Sequence, residues 1–191
     1  MTEEKKVNRE VYEWIRTLLC VAAVSVVLFG FILRPIRVDG ESMRETLQDG
    51  DLLMALCGWL CGDYEAGDIV IVSVPTFKEG KPIVKRVIAT GGQTVDIDFE
   101  TGVVYVDDTA LEEDYIREAT FTKEGLEFPV TLGEGQLFVM GDNRNRSTDS
   151  RSPDIGPVEE EYVIGRAAFL LLPGKTAELE KREWNRIGGM N

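Results

Sequence analysis

Hydrophobic positions along the chain fall into two regimes. From Thr17 to Leu33 they run unbroken: TLLCVAAVSVVLFGFIL carries no charge over 17 residues. That is the short end of what a bilayer core requires, but Trp14 and Ile15 extend it past Arg16, whose long side chain can reach back to the interface. The pattern predicts one membrane-spanning helix. A cleavable signal peptide is the competing expectation. No small-x-small site follows the run, which continues Phe31, Ile32, Leu33, Arg34, Pro35, so an uncleaved anchor is expected. Lys5, Lys6, Arg9 and Arg16 precede the span and Arg34 and Arg37 closely follow it. This excess of basic residues predicts a cytoplasmic N-terminus. The expected organisation is a cytoplasmic segment 1–16, an anchor 17–33 and an extracytoplasmic domain 34–191.

Beyond Arg34 the apolar positions come in short β-branched runs punctuated by Gly, Asp or Pro. Asp68–Pro75, Ile83–Thr90, Gln93–Phe99, Gly102–Val106 and Gln136–Met140 read as strands, and Tyr162–Leu172 as a final buried one. Lys175–Ile187, charged and rich in helix formers, predicts a solvated closing helix. Leu52–Leu60 fits either a buried strand pair or a surface dipping into lipid. With no repeat and no low-complexity linker, the outer part is expected to be one antiparallel β domain on a stalk.

Charge and composition then remove whole classes of function. There are 21 Lys and Arg against 34 Asp and Glu, a net charge of -13. Residues 1–16 hold four of each sign, so the imbalance belongs to the outer domain. No basic face is implied, which argues against nucleic acid as a partner. The same charge holds the domain off anionic lipid. Histidine is absent altogether, and with it every Ser-His-Asp triad, Cys-His pair and His-bearing zinc site. Cys57 and Cys61 form a C-x3-C pair with no second pair to complete a metal site. Buried thiols are the expectation for them; a disulfide, which needs an oxidising compartment, is the alternative. Neither metal nor cofactor is expected.

Three stretches carry candidate chemistry. In Val38-Asp39-Gly40-Glu41-Ser42-Met43 a turn after glycine can present a hydroxyl and a free N–H together, although Ser near Gly is usually only a turn. Arg44 breaks the G-x-S-x-G elbow, and no S-x-x-K pattern occurs. Lys85 shares a strand face with Ile83 and Val87, while Arg86 points the other way. A protective lysine on an exposed or edge strand is the slightly favoured reading. The other is a lysine desolvated among aliphatic groups, partly neutral near physiological pH and able to take a proton from a serine. The third stretch, Met140-Gly141-Asp142-Asn143-Arg144-Asn145-Arg146-Ser147-Thr148-Asp149-Ser150-Arg151, is a dense polar loop after an apolar strand. Its Asn-Arg-Ser sequon is taken as chance.

Taken in order, these blocks resemble type I signal peptidases (leader peptidases), the bacterial membrane-anchored Ser-Lys proteases. GESM with Thr46-Leu47, GDIVIV at 67–72, KRVIATGGQTV at 85–95, GDNRNRSTDSR at 141–151 and Gly156-Pro157-Val158 carry the resemblance. It implies a mainly β fold, an antiparallel sheet or coiled β-barrel behind one N-terminal transmembrane helix. It also implies removal of signal peptides from secretory preproteins after small-x-small (Ala-x-Ala) sites, at the bacterial plasma membrane, by a monomer in contact with membrane lipid. By position, Ser42 becomes the nucleophile, Lys85 the general base and Ser147 the serine that orients the lysine. Asp149 with Arg86 and Arg151 would form one salt-bridge set pinning the loop, with Asp142 and Asn143 in support. Ile36, Val38, Met43, Leu47, Leu53, Ile83 and Val84 would line the apolar subsites. Gly40 stands where some members place a serine donor, and Glu45 where proline usually precedes Thr-Leu. A non-catalytic tethered β scaffold and a self-cleaving Ser-Lys regulatory domain are the alternatives; the latter predicts a DNA-binding N-terminus in place of the apolar span.

Overall fold

The computed structural model describes residues 3–175 and 181–190. Helix α1 (Glu3–Val27) leads into a wider turn, Leu28–Ile32, closed by the Leu33 N–H on the Leu28 carbonyl. The candidate span, Glu10–Ile32, has 23 residues and holds an 18-residue window with a mean hydropathy of 2.4. At 1.5 Å per residue the span is about 35 Å, enough to cross a hydrocarbon core. Residue 16 marks no break in the backbone, since α1 is continuous through it, and Leu33 already belongs to a strand.

The strands are β1 (Leu33–Arg37), β2 (Leu52–Cys57), β3 (Ile69–Val72), β4 (Ile83–Ala89), β5 (Thr94–Asp98) and β6 (Val103–Val106). They continue with β7 (Thr109–Ala110), β8 (Val130–Thr131), β9 (Gln136–Met140), β10 (Val158–Glu159), β11 (Val163–Leu172) and β12 (Gly188–Gly189). Every pairing among them is antiparallel. One curled sheet runs β1-β2-β11-β3-β4-β9-β10 with β12 on β11, and a second runs β7-β6-β5-β8. Register shifts along β11 mark irregularities of the kind that sharpen twist and let a sheet curl. The expected mainly β, antiparallel fold is therefore the observed one.

Strand periodicity sets the core. In β3, Ile69 and Ile71 join Val38, Met43, Leu47 and Leu53 on one face, while Val70 and Val72 join Val87, Leu137 and Val139 on the other. A third cluster joins the second sheet to Ile88, Phe138 and Met140. Both faces of β3 and β4 are covered, which is why IVIV and IVKRVIA read as nearly continuous apolar runs rather than clean alternation.

Two expectations change here. The stretch Leu52–Leu60 is strand β2, buried at alternate residues, followed by a turn whose Trp59 is exposed and donates its indole N–H to the Phe31 carbonyl at 3.0 Å. The closing helix expected over Lys175–Ile187 is not formed where the chain is described; residues 176–180 lie outside the described residues. Lys175 bridges to Arg182, and Trp184–Arg186 make a single tight turn. Arg186 is drawn to the buried Asp51, with Nη2 at 2.7 Å from Oδ2, and this tertiary tie overrides local helix propensity.

Candidate active site

Ser42 sits in the turn that follows β1. Gly40, at φ +99°, reverses the chain there, and its N–H donates to Asp49 Oδ1 at 2.8 Å. Backbone bonds from Arg44 to Glu41 and from Leu47 to Met43 tighten the turn, with Met43 and Leu47 as its apolar roots. Glu45 adopts φ +93°. Proline, locked near -65°, cannot occupy that conformation, so the turn as formed excludes the residue that the resemblance leads one to expect there.

Lys85 is in the middle of β4, paired with β3 and just short of where β9 joins the other side, yet only 2% exposed. The reading of an exposed, protective lysine is thereby corrected. Val70 lies opposite it on β3, and Ile83 and Val87 flank it on the same face. Burial among these aliphatic groups lowers its pKa to about 8, against the opposing charges of Asp149 and Glu124. Arg86, also buried, takes the other face.

A groove of about 420 Å³ brings Ser42 and Lys85 onto one surface, together with Ile36, Val38, Ile83 and Val84. Its walls are the free edge of β1 with the segment after it, and the first half of β4. That half is open because β9 pairs with β4 only from Arg86 onward. Of the expected subsite residues, Met43, Leu47 and Leu53 are not at the groove surface. They are at most 1% exposed and pack beneath the turn, where their size seats it on the sheet.

The polar loop after β9 closes against the serine turn. Asn143 donates its backbone N–H to Ser42 O and its side-chain amide to Glu41 O, each at 3.0 Å. Gly141 allows this approach: a Cβ there would overlap Ser147 Oγ and lie 2.5 Å from Ser42 O. Asp149, fully buried, accepts from Ser147 Oγ at 2.7 Å, Gly141 N at 2.9 Å and Arg151 Nε at 2.8 Å. Burial opposes its ionisation, yet Arg151, Lys85 and the Gly141 N–H together hold its carboxyl below the usual range.

The single salt-bridge set expected of Asp149, Arg86 and Arg151 divides into two. Asp149 pairs with Arg151. Arg86 pairs instead with Asp142, Nε to Oδ1 at 2.9 Å and Nη2 to Oδ2 at 2.7 Å. Thr46 Oγ1 donates to the same carboxylate at 2.5 Å, so Asp142 joins strand, loop and serine turn. The reason is position: Arg86 is paired with Met140 across the β4–β9 ladder, next to where the loop begins.

Several residues around this site carried no sequence signal. Tyr115 stacks under Arg86 at 4.1 Å and donates to Glu113, which clamps Arg144. Asn145 Oδ1 accepts from the backbone of Phe121 and Thr122, giving the sequon asparagine an architectural role. These partners come from residues 111–129, where no strand or helix forms and no periodicity announces one. Cys57 and Cys61 are buried and free, as expected for thiols in a core.

Comparison with known proteins gives one consistent result. The family described as "Signal peptidase, peptidase S26" matches residues 11–172. The chain is 33% identical over 183 residues to a signal peptidase I of Bacillus licheniformis, covering 91% of this chain and 96% of that one. It is 32% identical over 191 residues to signal peptidase I T of Bacillus subtilis (strain 168), with the same coverage of the two chains. A crystal structure of a signal peptidase I from Enterococcus faecalis V583 is similar at 29% identity and a TM-score of 0.44, over 55% of this chain and 96% of that one.

Proposed function

Since the chain belongs to the signal peptidase family, peptidase S26, and is thus a serine peptidase that removes signal peptides, we propose that it works through a Ser42–Lys85 dyad at a membrane surface. The observation that carries this reading is a buried lysine with a pKa of about 8 sharing a groove with the serine.

Neutral Lys85 takes the Ser42 Oγ proton as the oxygen attacks the scissile carbonyl. The negative oxygen that results is met by the Ser42 backbone N–H, in a turn that Asn143 holds from behind. Gly40 offers no side-chain hydroxyl as a second donor. The Lys85 ammonium then returns its proton to the departing amine, leaving an acyl-serine. Lys85 next removes a proton from water, which attacks the ester, and gives that proton to the departing Ser42 Oγ, releasing the signal peptide with serine and neutral lysine restored. Ser147 and Arg151 act through Asp149, whose charge faces the lysine.

Substrate binding follows from the two open edges. An extended peptide can add as a strand between the β1 side and the first half of β4, its alternate side chains facing Ile36, Val38, Ile83 and Val84. These branched residues leave shallow pockets that suit small side chains, consistent with small-x-small sites. Ser42 follows Leu33 by nine residues, a tether of at most about 30 Å. With α1 as the anchor and its N-terminus cytoplasmic, the groove lies close to the outer membrane face, where a membrane-held preprotein presents its cleavage region.

The test is cleavage of a preprotein bearing an Ala-x-Ala site. Ser42→Ala and Lys85→Ala are each expected to lose at least about 10³-fold in kcat/KM. Wild-type cleavage by Lys85→Ala refutes the dyad.

A further inference from the structure

The stretch from Leu111 to Pro129 has no regular structure, yet it is strapped along the loop 141–151. Asn145 holds the Phe121 and Thr122 backbone, Arg151 Nη1 donates to Thr122 O at 3.1 Å, and Leu126 N donates to Arg151 O at 2.9 Å. The strap brings two carboxylates to the loop. Glu113 is matched by Arg144. Glu124 is different: its Oε2 accepts the Asp149 backbone N–H at 3.1 Å, and its Oε1 lies 3.8 Å from Arg151 Nη2.

Charge counting shows the consequence. Arg151 already makes a two-nitrogen pair with Asp149, so Asp149, Arg151 and Glu124 together carry one net negative charge beside Lys85. Without Glu124 the group would be neutral. A buried ammonium there would then face no net counter-charge.

We propose that Glu124 is a positioning residue for the Ser42–Lys85 reaction. Its carboxylate seats the Asp149 backbone and supplies the excess negative charge that sets how tightly Lys85 holds its proton. The proposal rests on the dyad reading above. The groups acting on Lys85 are Asp149 and Arg151 from the loop, Glu124 from the strap and Lys78 from the turn before β4, with Ser42 and Arg146 along the groove. Asp149 and Glu124 favour the ammonium; burial, Lys78 and Arg151 oppose it. Glu124 is itself pushed up by burial and by Asp149, the mark of two carboxylates sharing one guanidinium.

The experiment is the pH dependence of kcat/KM for the full chain in detergent micelles, on the Ala-x-Ala preprotein, for wild type, Glu124→Gln and Glu124→Asp. Glutamine keeps an oxygen for the Asp149 N–H but removes the charge. The acid limb should therefore move to lower pH by roughly half a unit, about a threefold gain on that limb. Aspartate keeps the charge, so its limb should stay at the wild-type midpoint even where the shorter reach lowers kcat. A limb unmoved in Glu124→Gln, or moved equally in both variants, overturns the proposal. Full activity in Lys85→Ala would instead overturn the dyad itself, so the two failures are distinguishable.

Discussion

Replacing Lys85 by methionine should make the protein more stable while abolishing its chemistry. The side chain is 2% exposed and burial lowers its pKa from 10.5 to about 8. A lowered lysine pKa means that folding disfavours the ammonium. Below pH 8 both folded and unfolded chains hold the proton, and the full penalty applies; at about 1.4 kcal/mol per unit it amounts to roughly 3 kcal/mol. As pH rises from 8 towards 10.5, the folded state sheds the proton while the unfolded state keeps it, and the penalty fades. Lys85→Met, similar in length and neutral, should therefore gain about 3 kcal/mol at pH 7 but only about 1 kcal/mol at pH 10. Thermal unfolding of the full chain in detergent should show this as a rise in Tm of roughly 5–10 °C at pH 7, shrinking by pH 10. A variant no more stable than wild type at pH 7, or equally stabilised at both pH values, would refute the desolvated-lysine account.

Three other perturbations probe the surrounding frame. Glu45, at φ +93°, is strained in a way glycine is not, so Glu45→Gly should gain up to about 1 kcal/mol and Glu45→Pro should lose stability, both read by thermal melting. Gly141→Ala places a Cβ against Ser147 Oγ and the Ser42 carbonyl; a displacement of about 1 Å should cost on the order of 100-fold in kcat, and the overlap with buried atoms should lower stability by about 1–3 kcal/mol, read as a fall in melting temperature. Arg86→Ala leaves the buried Asp142 carboxylate without its guanidinium and should cost about 3–5 kcal/mol, whereas Arg86→Ala with Asp142→Ala should cost less than the two singles summed. Additive losses in that double-mutant cycle would show that the pair is not coupled.

Local chemistry announced much of this architecture. β-branched runs marked β3, β4, β5, β6, β9 and β11 because each strand is short, apolar and bounded by turn residues. Lack of histidine made Lys85 the best available base, while Ser42 and the pairing of the two came from the resemblance carried by the ordered motifs. What escaped was whatever depends on distance in space. Arg86 has several carboxylates within reach by sequence, and only the β4–β9 register selects Asp142. By motif position Met43, Leu47 and Leu53 are expected to line subsites, and the turn's packing buries them in the core instead. The strap carrying Glu113 and Glu124 has no period, since its side chains answer to the loop beneath it rather than to a helix or sheet.

By itself, then, the sequence determined the apolar span and the antiparallel β character, and through its ordered motifs the resemblance that nominates Ser42 and Lys85 for the chemistry. The span and the β character follow from composition and from periods of a few residues; the nomination of the two residues follows from the resemblance. The tertiary structure decided which charges pair and which apolar groups reach the groove. It also decided that a lysine in a β-strand is buried rather than a solvated guard. That last outcome turns on solvent: the same side chain keeps its proton in water and loses its hold on it between Val70, Ile83 and Val87, and only the closing of the sheet removes the water.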